Sequence, residues 1–142
     1  MIGEGPIVPE IISSFIEENI IENVVTKKTN VITDYKCYEG NTYGYETITD
    51  VVIPSKINGS YTSVIGENAF QRKNLTSVII PTGITTIGRA AFESNELMEV
   101  YIPGTVTIIE KFSFGCNPSN LEITYENEEN ITSNLDEVKW CG

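Results

Sequence analysis

Residues 79–100 read IIPTGITTIGRAAFESNELMEV, and residues 101–123 read YIPGTVTIIEKFSFGCNPSNLEI. Laid one over the other from Ile79 and Tyr101, they match without a gap: Pro81 with Pro103, Ile87 with Ile109, Ala91 with Ser113, and Phe92 with Phe114, each 22 residues apart. The same step taken backwards reaches Ile65, Gly66, Ala69 and Phe70, and pairs Leu75 and Val78 with Leu97 and Val100. Self-similarity at a fixed period of this size marks a solenoid, in which each turn buries its apolar face only against its neighbours.

One period is physically readable. In Ser77-Val78-Ile79-Ile80-Pro81 the β-branched residues predict a short strand, which Pro81 ends because it has no N–H to donate. Thr85-Thr86-Ile87-Gly88 predicts a second short strand followed by a tight bend, and the GENAF and RAAF segments each predict one helical turn with Ala and Phe inward. Phe70, Phe92 and Phe114 are then expected to stack as a ladder, one per turn. The first copy is longer, since Pro54 precedes Phe70 by 16 residues where later copies use 11, and the extra five lie around Asn58-Gly59. In the last copy Phe114 to Leu121 is two residues longer than Phe92 to Leu97, with Asn117-Pro118 taking up the difference. The repeat proper runs over 49–125, three turns and a final strand.

The pattern L-x-x-V-x-I-P-x-x-(I/V)-x-x-I-G-x-x-A-F resembles the BspA-like leucine-rich repeats of bacterial surface proteins, with Pro, Gly and Ala-Phe recurring in register over just over half of the chain. The resemblance implies a mainly β fold with short helical turns, a right-handed leucine-rich-repeat solenoid of about three 22-residue turns. It also implies a secreted or surface-displayed adhesion or recognition module that contacts host or matrix proteins. In the last copy Glu110 replaces the repeat glycine and Ser113 the alanine, as suits a terminal turn.

Composition narrows the function. The 142 residues hold 40% apolar and 20% charged side chains, enough for one globular core. Twenty acidic against nine basic residues leave a net charge of −11, which disfavours nucleic acid and anionic lipid surfaces as partners. Histidine is absent, which removes the Ser-His-Asp and Cys-His arrangements and the commonest metal ligand. Neither a cofactor nor a metal is expected. Cys37, Cys116 and Cys141 match no zinc spacing; Cys116 reads either as a small core filler or as half of a Cys116–Cys141 staple. Apolar runs fall far short of a membrane span, and the first residues, MIGEGPIVPE, lack the basic and apolar regions of a signal peptide.

The flanks must cover the solenoid's open ends. Residues 1–30 form an N-terminal segment in which PEIISSFIEENIIENVV, 9–25, has apolar pairs spaced for an amphipathic helix, either packed on the domain or offered to a partner. Residues 31–48 are tyrosine-rich and read as a β-hairpin cap turning at Glu39-Gly40-Asn41. Tyr35, Tyr38, Tyr43, Tyr45 and Tyr61 cluster there, which suits either an interface or the capping of a sheet edge. Residues 126–142 form an acidic C-terminal cap anchored by Leu135, Val138 and Trp140, whose carboxylates match no calcium loop.

Strand alternation locates a candidate site. With Val51, Val78 and Val100 inward, the outward column is Val52, Ile79, Tyr101 and Thr124, beside a second column of Asp50, Ser77, Glu99 and Glu122. An apolar-aromatic stripe next to an acidic one suits a protein or peptide carrying basic residues beside apolar ones. The competing reading is a structural or assembly module that buries the stripe in self-association, and the sequence leaves the oligomeric state open. A carboxylate-pair enzyme is a third reading, disfavoured because a short solenoid offers little concavity.

Overall fold

The computed structural model describes residues 19–21, 24–28, 31–35, 49–57 and 59–141. Twelve short strands are described: β1 (Asn19–Ile21), β2 (Val24–Lys28), β3 (Val31–Tyr35), β4 (Asp50–Val52), β5 (Lys56–Ile57), β6 (Ser60–Tyr61), β7 (Val64–Ile65), β8 (Ser77–Ile79), β9 (Thr86–Ile87), β10 (Glu99–Ile102), β11 (Ile108–Ile109) and β12 (Glu122–Tyr125). They wind as a β-solenoid of about three turns. In each turn one strand precedes the proline and a second precedes the Gly88-type bend, where sequence periodicity places them.

Successive turns stack in parallel. The second strand of each turn pairs in register, Ile65 opposite Ile87 and Ile87 opposite Ile109, and the ladder runs on into β3, with Ile32 opposite Ile65. Antiparallel pairing of β3 with β2 and of β2 with β1 completes a six-stranded sheet. The proline strands pair as β4 with β8 and β10 with β12. Ile53, Ile80, Ile84, Leu75, Leu97 and Val106 fill the space within, in one continuous core. Full burial of each such side chain stabilises the fold by roughly 1.5–3 kcal/mol.

The phenylalanine ladder forms as expected. Ring centroids lie 5.0 Å apart for Phe70 and Phe92 and 5.2 Å for Phe92 and Phe114, with interplanar angles of 11° and 5°. Tyr35 extends it by one ring, 5.1 Å from Phe70, so this member of the tyrosine cluster is core. Tyr61 is well exposed, with Lys56 over its ring at 4.8 Å. The extra residues of the first copy form a hairpin, β5 against β6, with Gly59 at φ +86°.

Three expectations need correction. Residues 19–21 and 24–28, within and just beyond the expected helix, are strands. Ile20, Ile21, Val24 and Val25 are β-branched, and an open ladder at β3 rewards extension more than helical spacing does. The rest of that segment, 9–18, lies outside the described residues, as do Cys37, Tyr38, Tyr43, Tyr45 and the turn of the expected hairpin cap. The Ala-Phe segments are not helical. Asn68, Ala90 and Phe112 have φ of 61°, 56° and 66°, and Arg72, Ser94 and Cys116 have 58°, 64° and 54°, so each segment is a series of bends with left-handed residues four apart. Alternate N–H groups bond across turns, Phe70 N to Ala91 O and Phe92 N to Ser113 O, both at 2.7 Å, while those between them, such as Ala69 N to Gly66 O and Ala91 N to Gly88 O, close local turns. Finally, Trp140 is half exposed and does not anchor the C-terminal cap; Val138 does, with Leu135 and Ile131 packed beside the core.

Candidate functional site

Parallel pairing sets the columns side by side. Asp50, Val51 and Val52 stand opposite Ser77, Val78 and Ile79. Glu99, Val100 and Tyr101 stand opposite Glu122, Ile123 and Thr124. The middle residue of each trio points inward: Val51, Val78 and Val100 are buried and Ile123 is partly so. Every residue of the two candidate columns is exposed, Val52 at 47%, Ile79 at 59% and Tyr101 at 53% of their surface. The structure thus brings all eight onto one face, in two blocks, because the ladder stops between β8 and β10. An open depression of about 430 Å³ lies across that seam, lined by Ser77 and Val78 on one side and by Glu99, Val100, Tyr101 and Thr124 on the other.

The polar residues of the two blocks differ. Asp50 Oδ1 accepts hydrogen bonds from Ser77 Oγ at 2.7 Å and Thr76 Oγ1 at 3.2 Å, so its charge is partly satisfied within the face. Glu99 and Glu122 are register neighbours of like charge, and among the described residues neither makes an ion pair within 4.0 Å. The described ion pair, Arg89 with Glu67 at 3.8 Å, belongs to the bends.

Glu126 is a residue that strand alternation did not single out. One carboxylate oxygen accepts from Gly104 N at 2.6 Å, and the carboxylate's negative charge acts on the Tyr101 phenol. Desolvation first, and the negative charge of Glu126 second, raise the phenol's pKa above its ordinary 10.0. Periodicity gives no signal for it: Thr105 Oγ1 accepts from Gly83 N one turn earlier, but the residue 22 beyond Thr105 is Asn127, not Glu126.

Asn95, buried, and Asn117, half-buried, form a second repeated feature. Asn95 Oδ1 accepts from Lys73 N and Leu75 N, both at 3.0 Å, while its Nδ2 donates to Phe70 O and Phe92 O at 2.9 Å. Asn117, 22 residues on, accepts from Leu97 N at 3.0 Å and donates to Phe92 O and Phe114 O. Together with the parallel strands and the proline-bounded period, this internal ladder decides the kind of solenoid. A family model described as a BspA-type leucine-rich repeat region (6 copies) matches residues 38–135.

The chain belongs to the BspA-type leucine-rich repeat family.

No curated protein matches this BspA-type chain. A crystal structure of a leucine-rich repeat protein of T. pallidum aligns over 87% of this chain and 70% of that one, at 17% identity and a TM-score of 0.41. BspA-type repeats are associated with bacterial surface proteins, are typically non-catalytic, and point to a protein-interaction module. No described helix is long and apolar enough to cross a membrane. Among the described residues, no three His, Cys, Asp or Glu side chains converge as metal ligands would.

Proposed function

We propose that the chain is a non-catalytic recognition or adhesion module of a secreted or surface-displayed protein. It binds a protein or peptide ligand, of host or matrix origin, that carries basic residues beside apolar ones. What supports this reading is the exposure of Val52, Ile79 and Tyr101 in a repeat whose inward neighbours are buried, next to Asp50, Ser77, Glu99 and Glu122. Contiguous apolar surface rimmed by polar residues is the usual mark of a contact site. The charge of −11 adds complementarity toward a basic partner and repels phosphate backbones. Adhesion to host or matrix proteins is carried over from the family and rests on that analogy.

The test is a double substitution, Ile79→Ser with Tyr101→Ser, against a random-peptide library displayed on phage. Peptides enriched on the unmodified protein should carry Lys or Arg beside apolar residues and should lose binding to the variant. The melting temperature should barely move, since exposed substitutions change stability by about ±0.5 kcal/mol. A large drop in stability would show the column to be core. Sedimentation equilibrium on the unmodified chain, with and without reductant, checks the alternative: a reductant-insensitive dimer that protects Ile79 and Tyr101 would make the column an assembly interface.

A further inference from the structure

The seam between β8 and β10 has features that a uniform apolar stripe lacks. Tyr101 presents half its surface at the rim of the depression, within the field of the Glu126 carboxylate, which Gly104 N holds. A tyrosine ring is a rigid platform with two torsions, so a ligand that stacks on it loses little entropy in ordering it. On the adjoining column Glu99 and Glu122 stand in register, one strand spacing apart (about 4.8 Å), with no basic partner among the described residues. Like charges directly opposite each other destabilise a strand pair, and a cation bridging them reverses the sign.

We propose that the ligand's anchoring residue is an arginine, whose guanidinium enters this depression against Tyr101 and Glu99, with Glu122, in register beside Glu99, as the second carboxylate and Glu126 as a positioning residue. This rests on the reading of the column as a binding surface and adds the side chain that it selects. Arginine suits the depression better than lysine for three reasons. Its guanidinium is planar and stacks on a ring, it is more weakly hydrated, and it offers N–H groups to two carboxylates at once. The protein already contains such a contact, Arg89 over the Phe112 ring at 5.1 Å.

The experiment uses the full chain and a peptide selected on it from a phage-displayed random library. That peptide is then synthesised with arginine, lysine or citrulline at the basic position and titrated calorimetrically. On the unmodified protein, lysine should weaken binding about tenfold and citrulline at least as much. Tyr101→Leu should erase the arginine–lysine difference. Glu126→Gln should shrink that difference while leaving the melting temperature in place, and should lower the alkaline titration of the Tyr101 phenol, read as a difference spectrum against Tyr101→Phe. If binding depends on Ile79 and Tyr101 but arginine and lysine peptides differ by less than about twofold, this inference is wrong and the column reading stands. If no selected peptide is sensitive to Ile79→Ser or Tyr101→Ser, the column reading fails and the arginine site with it.

Discussion

Asn95 uses both ends of its amide inside the core. Its oxygen serves two backbone N–H groups, and its nitrogen serves the carbonyls of Phe70 and Phe92, with that of Glu93 further off at 3.4 Å. Asn95→Ala abandons these buried groups, each of which costs roughly 1–3 kcal/mol when left unmade. A loss of about 3 kcal/mol or more is expected in urea denaturation. Asn95→Asp should be no better, because it turns an oxygen toward carbonyls that need a donor. Tyr125 gives a second residue-scale expectation. Burial first, and the charge of Glu128 second, raise its pKa above the ordinary 10.0. The unfolded chain then loses this proton at a lower pH than the folded one, so the contribution is intact below pH 10.0 and is lost as pH rises through the raised value. Melting temperatures across the alkaline range should fall less steeply for Tyr125→Phe than for the unmodified chain.

At the scale of elements, what could be read in the sequence followed from which forces are local. Strands were legible because β-branched runs ending at Pro54, Pro81 and Pro103 carry their own stop, and the outward columns followed from alternation alone. The bends were not legible as bends. Ala-Phe segments have helical composition, and nothing in Ala90 or Phe112 announces a positive φ; the cross-turn bonds that stabilise those conformations exist only once the neighbouring turn is present. The N-terminal strands were missed for a similar reason, since the ladder that draws them out is supplied by β3 and β7. Glycine at the second strand's end has an element-scale role of its own. A Cβ at Gly88 would meet Glu67 N at 2.8 Å and Ile65 O and Gly66 C at 2.9 Å, all backbone. Gly88→Ala should therefore push adjacent turns apart and cost about 2 kcal/mol, read as a lowered denaturation midpoint. In the last turn, where Glu110 holds that position, the corresponding N–O distance to Ile87 is 3.0 Å against 2.7 Å for Gly88 to Ile65, so the contact there is looser. Removing the side chain by Glu110→Gly should cost no more than about 1 kcal/mol.

Over the whole molecule, the decisive device is the C-terminal end. Phe112 N donates to Glu137 O at 3.0 Å and Phe114 N to Val138 O at 2.9 Å, in the positions that Lys111 O and Ser113 O fill for Ala90 and Phe92. Lys139 Nζ bonds Leu121 O at 2.6 Å, and a Cys116–Cys141 disulfide, Cα atoms 4.7 Å apart, closes the loop. Of the two sequence readings of Cys116, the structure forms the staple. Cys141→Ser frees a sequence separation of 25 residues and should lower stability by about 3 kcal/mol. Reductant should reproduce the shift in the unmodified protein and leave the variant unmoved. Sequence spacing made the pairing conceivable but could not choose it, because the choice depends on where the terminal turns bring residue 141.

That same terminus has a consequence for how the molecule can vary. Glu137 and Val138 offer the last full turn the carbonyls that any further turn would offer, so the cap is indifferent to how many turns stand before it. A duplicated 22-residue unit ahead of the final copy would be accepted as one more rung, lengthening the outward column by roughly 4.8 Å. The length of that column would thereby change only in whole turns. Such a chain can be regauged by copying its own genetic text, with no new side chain having to be invented.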